Sequence, residues 1–283
     1  MPHAQINGAR LWYELRGTGE PLLLHHGYTA SRVNWMPAAE LLESRYQVIL
    51  MEGRGTGESE HTEVGYSLEQ YAEDVLGMLD HLQLDKVTFA GHSMGGGIGY
   101  LLGLNHAERL ERLILMAPIP ADGIGEIDPE TREARMEERR HGDRDAVFAR
   151  YLAQRFRDDV ETDEWFESRT EHVLGVSDGH FEQSVESMRD LRVSHRLAEL
   201  TIPTLMIAGA VDGLLPANLM DFLQLPNATL EVLSRAGHEV AVHEPEAVAR
   251  AIEQFMTHGA VTPAHLAAQL EASQRQSLSL IHI

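Results

Sequence analysis

Residues 86–104 read KVTFAGHSMGGGIGYLLGL. An apolar run with strand character ends at Gly91, and a glycine-rich segment with helical character begins just past Ser93. Between them lies Gly91-His92-Ser93-Met94-Gly95. A sharp turn from strand to helix forces strained backbone angles on its central residue. Glycine two positions before and after removes the Cβ atoms that would collide there. The Ser93 hydroxyl is then expected at the C-terminal edge of a sheet and at the N-terminus of a helix. The helix dipole and its free N–H groups favour negative charge at that point. The further glycines Gly96, Gly97 and Gly99 let the helix approach the sheet closely. The competing reading of the same stretch is a glycine-rich packing turn with no chemistry.

The flanking sequence repeats the strand–helix rhythm. ARLWYELRG (9–17) alternates as a strand, and GTGEP (17–21) reads as a turn. PLLLHHG (21–27) and YQVILME (46–52) are short continuous apolar runs of the kind buried on both faces of a parallel sheet. Residues 35–44 and 67–82 carry helical spacing. Ser67 is the expected N-cap of the second, with Tyr71, Val75, Met78, Leu79 and Leu82 on one face. RLILMAP (112–118) is a further strand. Strands alternating with helices through short connections predict a mostly parallel sheet with helices on both faces.

The rhythm breaks after Pro118. From 119 to 197 the segments are charged and helical, and an all-helical insertion is expected. IPTLMIAGAVD (202–212) and ATLEVLSRAGH (228–238) restore the strand pattern, and EPEAVARAIEQFMT (244–257) is a helix. The expected organisation is therefore a first core part over 1–118, a helical cap over 119–197, a second core part over 198–258 and a tail over 259–283. The SLSLIHI end of that tail has no partner segment in the pattern and is read as a flexible or non-native extension rather than a strand.

Composition limits the function classes. With 23 Lys and Arg against 44 Asp and Glu among 283 residues, the formal net charge is −21. Such a surface repels phosphate backbones and anionic lipid headgroups, so nucleic acid and membrane partners are not expected. The absence of cysteine removes disulfides, thiolate nucleophiles and Cys-based zinc sites. The 16 histidines are scattered without paired-ligand spacing, so no metal is expected. No basic stretch followed by an apolar core opens the chain, and no apolar run reaches membrane-spanning length, so a cytoplasmic location is expected. A monomer or homodimer is expected.

A serine hydroxyl needs a base, and the base needs an orienting acid. Both are expected after other strands at the same sheet edge. Asp212 follows one restored strand, and His238 follows the next. Ser93, Asp212 and His238 stand in the chain order that strand-turn-helix serine sites use. His243 is a competing base and Asp122, after RLILMAP, a competing acid. His92, beside the serine, is read as supporting the site rather than reacting. The oxyanion donors are expected to be the backbone N–H groups of Met94, next after the nucleophile, and of Tyr28, in the loop after PLLLHHG.

These stretches resemble the α/β-hydrolase-fold serine hydrolases that carry a helical cap. The resemblance covers about residues 5–258. It rests on HHGYTASRVNW (25–35), EGRGTGES (52–59), GHSMGGG (91–97), AGAVDGLLP (208–216) and AGHEVAVHEP (236–245). Glu52 stands where that family usually has Asp, at a structural position. The resemblance implies an acyl-enzyme mechanism without a cofactor. The expected substrates are small to medium uncharged carboxylic esters or lactones. A carbon–carbon bond hydrolase of the same fold is the main alternative, and a cap-pocket ligand receptor with slow turnover is a second. Cap aromatics Phe148, Tyr151, Phe156, Trp165, Phe166 and Phe181 are candidates for a pocket lining or for packing within the cap. Of these, Tyr151 and Trp165, together with Trp35 beyond the oxyanion loop, are taken as substrate-pocket residues.

Overall fold

The computed structural model describes residues 2–262 together with 266, 267 and 270. Among the described residues eight strands form one sheet: β1 (His3–Ile6), β2 (Ala9–Arg16), β3 (Glu20–His25), β4 (Tyr46–Met51), β5 (Val87–His92), β6 (Leu110–Met116), β7 (Thr204–Gly209) and β8 (Ala228–Leu233). Their order across the sheet is β1-β2-β4-β3-β5-β6-β7-β8. β1 and β2 pair antiparallel, as do β2 and β4, and every later pairing is parallel.

The helices are α1 (Met36–Leu42), α2 (Leu68–His81), α3 (Met94–Asn105), α4 (Pro129–Arg140), α5 (Arg144–Leu152), α6 (Asp163–Gly175), α7 (Asp178–Asp190), α8 (Leu215–Phe222), α9 (Val240–His243) and α10 (Pro245–His258). Helices α4 to α7 all fall between β6 and β7, in the stretch where the strand pattern lapsed. Each begins on a side-chain cap: Asp128 accepts from the Thr131 amide, Asp143 from Ala146, Thr162 from Trp165 and Ser177 from His180. Ser67 caps α2 in the same way, accepting from the Gln70 amide. Such caps satisfy amides that a helix leaves without internal partners.

Continuous apolar strands need cover on both sides, and the sheet has it. Leu23, Phe89, Leu113 and Leu115 face the cluster built with α2 and α3. Leu22, Leu24, Ile114 and Ile207 face the opposite cluster, built with α1 and α10. The alternation Leu22, Leu23, Leu24 along one strand splits between the two layers because successive side chains point to opposite faces. The helices between β6 and β7 have a small separate cluster around Met136, Val147, Val173, Val176 and Phe181. The expected tail over 259–283 lies outside the described residues from 271 onward and in part before that.

Candidate active site

The register of the sheet brings the site together. His25, the last residue of β3, pairs with Gly91 of β5. The loops after β3, β5, β7 and β8 thus leave the sheet at one edge. Ser93 follows β5 directly and precedes α3, with φ 55° and ψ −112°. A non-glycine residue there is strained and persists only where its surroundings over-determine it. The flanking glycines show why: a Cβ on Gly91 would overlap the carbonyl oxygen of Gly95, and one on Gly95 would lie 2.7 Å from the carbonyl oxygen of His25.

His238 Nε2 lies 2.9 Å from Ser93 Oγ, and His238 Nδ1 lies 2.9 Å from Asp212 Oδ2. Asp212 follows β7 and also accepts the Leu214 amide at 3.0 Å. Burial alone would raise the Asp212 pKa, but the hydrogen bond and charge of His238 outweigh it and hold the carboxyl below its usual range. Burial alone would lower the His238 pKa. Its hydrogen bond to Asp212, and that carboxylate's charge, outweigh burial and raise it. The His238 side chain is 38% exposed, open to the cavity beside it.

Neither competing residue takes the place of His238 or Asp212. His243 Nδ1 accepts the Gly237 amide at 3.1 Å, and its Nε2–H donates to Glu161 Oε1 at 3.1 Å. Asp122 is exposed and is not part of the cavity wall. His92 Nε2–H donates to the His238 carbonyl at 2.8 Å, which holds the imidazole-bearing loop against β5.

A cavity of about 450 Å³ opens over Ser93. Its wall includes Gly27, Tyr28 and Thr29 from the β3–α1 loop, Asp212 and His238 from the sheet edge, and Tyr151 and Trp165 from the inserted helices. Phe156 and Phe166 also line it, whereas Phe148 packs edge-on against Phe166 at 6.4 Å and Phe181 lines a neighbouring cavity of about 230 Å³. Trp35 requires a correction. It does not line the cavity; it is fully buried among α1 and α10 residues and donates Nε1–H to the His25 carbonyl at 3.0 Å. Ser31 caps a short helical turn before Trp35, and that turn carries the indole away from the sheet edge and into the core.

The paired histidines after β3 also have a structural task. His25 Nδ1–H donates to the His26 carbonyl at 3.0 Å, and His26 Nδ1–H donates to the Gly27 carbonyl at 2.8 Å. They pin the backbone that leads to Tyr28. The Tyr28 amide has no hydrogen-bond acceptor among the described residues. Met94 opens α3, in the first turn where amides lack an intrahelical acceptor. Glu52, at the family's usual Asp position, is buried, pairs with Arg32 Nη1 at 2.9 Å and accepts the Glu58 amide at 2.7 Å.

Two charged residues in the wall escaped the sequence reading. Arg169 of α6 is 4% exposed. It donates Nη1–H to the Thr29 carbonyl at 2.9 Å and Nη2–H to Tyr151 Oη at 3.2 Å. Its Nε lies 3.9 Å from Glu239 Oε1, and Glu239 accepts a hydrogen bond from Asn34 Nδ2 at 2.6 Å. Burial would raise the Glu239 pKa, but the Arg169 charge leads the opposing effects and pulls it from 4.5 to about 2. Glu239 was adjacent to His238 in AGHEVAVHEP, so a signal existed. Nothing local marked Arg169, which sits in a charged helical stretch like its neighbours.

Residues 20–245 match the alpha/beta hydrolase fold family. The chain belongs to that family. Among alpha/beta hydrolase relatives, the 3-oxoadipate enol-lactonase 2 of Acinetobacter baylyi is 31% identical over 227 residues, which span 78% of this chain and 83% of that protein. The soluble epoxide hydrolase of a Corynebacterium strain is 35% identical over 117 residues, 41% of each chain. Among solved structures, a thermophilic esterase from Thermogutta terrifontis superposes with a TM-score of 0.79 at 25% identity, covering 91% of this chain and 98% of that one. Relatives within the alpha/beta hydrolase family thus differ in the bond they cleave, and membership alone does not choose one. No helix among the described residues is long and apolar enough to cross a membrane.

Proposed function

We propose that the protein is a serine hydrolase of small to medium uncharged carboxylic esters or lactones, working through an acyl-enzyme. The observation that carries this reading is His238 bridging Ser93 Oγ and Asp212 Oδ2 at 2.9 Å on each side. With Nδ1–H donated to Asp212, Nε2 is left as an acceptor for the serine proton. Ser93 Oγ attacks the substrate carbonyl carbon while His238 takes that proton. The carbonyl oxygen becomes an oxyanion held by the Tyr28 and Met94 amides, at the positive end of α3. The intermediate collapses, the carbon–oxygen bond to the leaving group breaks, and His238 returns the proton to the departing alkoxide. Water then attacks the acyl carbon, gives its proton to His238, and the acid leaves as Ser93 is re-protonated.

The wall argues for an uncharged substrate. The Glu239 and Asp212 carboxylates in it are each engaged, with Arg169 and His238, so a charged substrate group of either sign would have to compete with those pairs. Domain 119–197, whose helices supply Tyr151 and Trp165 to the wall, acts in this reading as the cap that closes over the substrate. The relatives named enol-lactonase and esterase agree with the ester or lactone class. The decisive experiment is hydrolysis of p-nitrophenyl acetate and of a simple lactone by wild type and by Ser93→Ala, with a fluorophosphonate label mapped by mass spectrometry. Turnover by wild type, a loss on the order of 10³-fold or more in the variant, and a label on Ser93 are expected. Equal turnover by the variant, or a label elsewhere, would overturn the proposal.

A further inference from the structure

We propose that Arg169 and His180, on the inserted helices, are positioning residues that aim the Tyr28 amide at the oxyanion; the inference rests on the acyl-transfer reading above. Three successive peptide planes lead to this conclusion. A trans peptide is flat, with its carbonyl and N–H pointing in opposite directions, so fixing one end aims the other.

The plane joining Thr29 and Ala30 is held by Arg169, whose Nη1–H donates to the Thr29 carbonyl at 2.9 Å. Its other end, the Ala30 amide, points back and donates to the Gly27 carbonyl at 3.2 Å. That carbonyl belongs to the plane joining Gly27 and Tyr28, where His26 Nδ1–H also grips it at 2.8 Å. With the Gly27 oxygen held by two donors, the Tyr28 N–H at the opposite end of the plane is aimed away from them. It has no acceptor among the described residues, and Gly27, Tyr28 and Ser93 share one cavity wall. The middle plane, joining Tyr28 and Thr29, is fixed by His180, whose Nε2 accepts the Thr29 amide at 3.3 Å.

His180 is itself oriented. It is fully buried, and its Nδ1–H donates to Tyr71 Oη at 2.6 Å, which leaves Nε2 as the acceptor. Tyr28 adds a further tie, donating its hydroxyl to the Phe181 carbonyl at 2.6 Å. The tension these ties restrain is visible at Thr29, whose φ is +51°. A β-branched residue in the left-handed region returns to ordinary angles unless it is held. Arg169 and His180 act on the same residue from helices α6 and α7, so the insertion is part of the catalytic geometry as well as a wall.

The test uses the full-length enzyme with p-nitrophenyl acetate and with phenylboronic acid. In the boronate adduct a bond forms from Ser93 Oγ to boron, the serine proton passes to His238, and a boron-bound oxygen stands for the oxyanion. Arg169→Met and His180→Leu are each expected to lower kcat about 10- to 100-fold, part of the loss seen when a whole oxyanion donor is removed, with KM within about threefold. Boronate affinity is expected to fall in parallel with kcat, and Arg169→Lys, which keeps one donor for the Thr29 carbonyl, to recover part of both. A merely structural role would reduce the active fraction without changing boronate affinity. If Arg169→Met does not fold, His180→Leu and Arg169→Lys carry the decision by the same readouts. Unchanged kcat and boronate affinity in folded variants, or a loss confined to KM, would overturn the inference. Wild type without Ser93-dependent turnover would instead remove the underlying functional reading.

Discussion

Replacing Glu239 by Gln keeps the shape of the side chain and the hydrogen bond from Asn34, and removes only the charge. Moving the carboxyl from 4.5 in the unfolded chain to about 2 in the fold corresponds to roughly 3 kcal/mol favouring the folded state. The sign follows from the direction. A depressed carboxyl pKa stabilises the fold above the unfolded value, near 4.5, and that contribution is lost as pH falls through about 2. Glu239→Gln is therefore expected to be about 3 kcal/mol less stable than wild type at pH 7, and the gap is expected to narrow steadily below pH 4.5. For a chain of this size that corresponds to a melting temperature lower by about 6–12 °C at pH 7. Urea unfolding followed by circular dichroism at pH 7, 5.5, 4.5 and 3.5 measures it. A gap that stays constant across those values would refute the electrostatic reasoning, because a packing defect has no reason to titrate.

Asp212→Asn is expected to lower kcat by about 10³- to 10⁴-fold, because an amide does not fix the Nδ1–H tautomer as a carboxylate does. The wild-type pH–rate profile should have its acid limb above 6.5, since Asp212 raises the His238 pKa against the effect of burial; in the variant that limb should move down. An unmoved limb would show that Asp212 does not set the titration. Gly91→Ala is expected to cost about 3 kcal/mol or more, or to yield insoluble protein, because its Cβ would overlap the Gly95 carbonyl, and chemical denaturation compares it with wild type. Trp35→Phe is expected to lower stability by about 1–3 kcal/mol through the lost bond to the His25 carbonyl, while leaving the substrate chain-length profile unchanged. A changed chain-length profile would return Trp35 to the cavity.

Read alone, the sequence determined the parts of this protein that depend on short-range pattern. Gly91-x-Ser93-x-Gly95 announces a turn too tight for Cβ atoms, and a buried strand and a helix on either side give it direction. The apolar runs at 21–27, 46–52 and 112–118 have to be covered on both faces, so a parallel sheet with two helical layers follows from the chain itself. The approach of Asp212 and His238 to Ser93 was legible because each lies in the loop after a strand, and strands in parallel register deliver their ends to one edge. Trp35 was misread because sequence proximity to the oxyanion loop does not say which way a ring turns, and a short helical turn sends it into the core. Arg169 and His180 were invisible for a related reason. Their partner is the backbone of Thr29, some 140 and 151 residues earlier in the chain, and no local pattern records a hydrogen bond to a distant carbonyl or amide. Only the tertiary fold decided which charged residues of the inserted helices reach the site, because that depends on how those helices lie over the sheet edge.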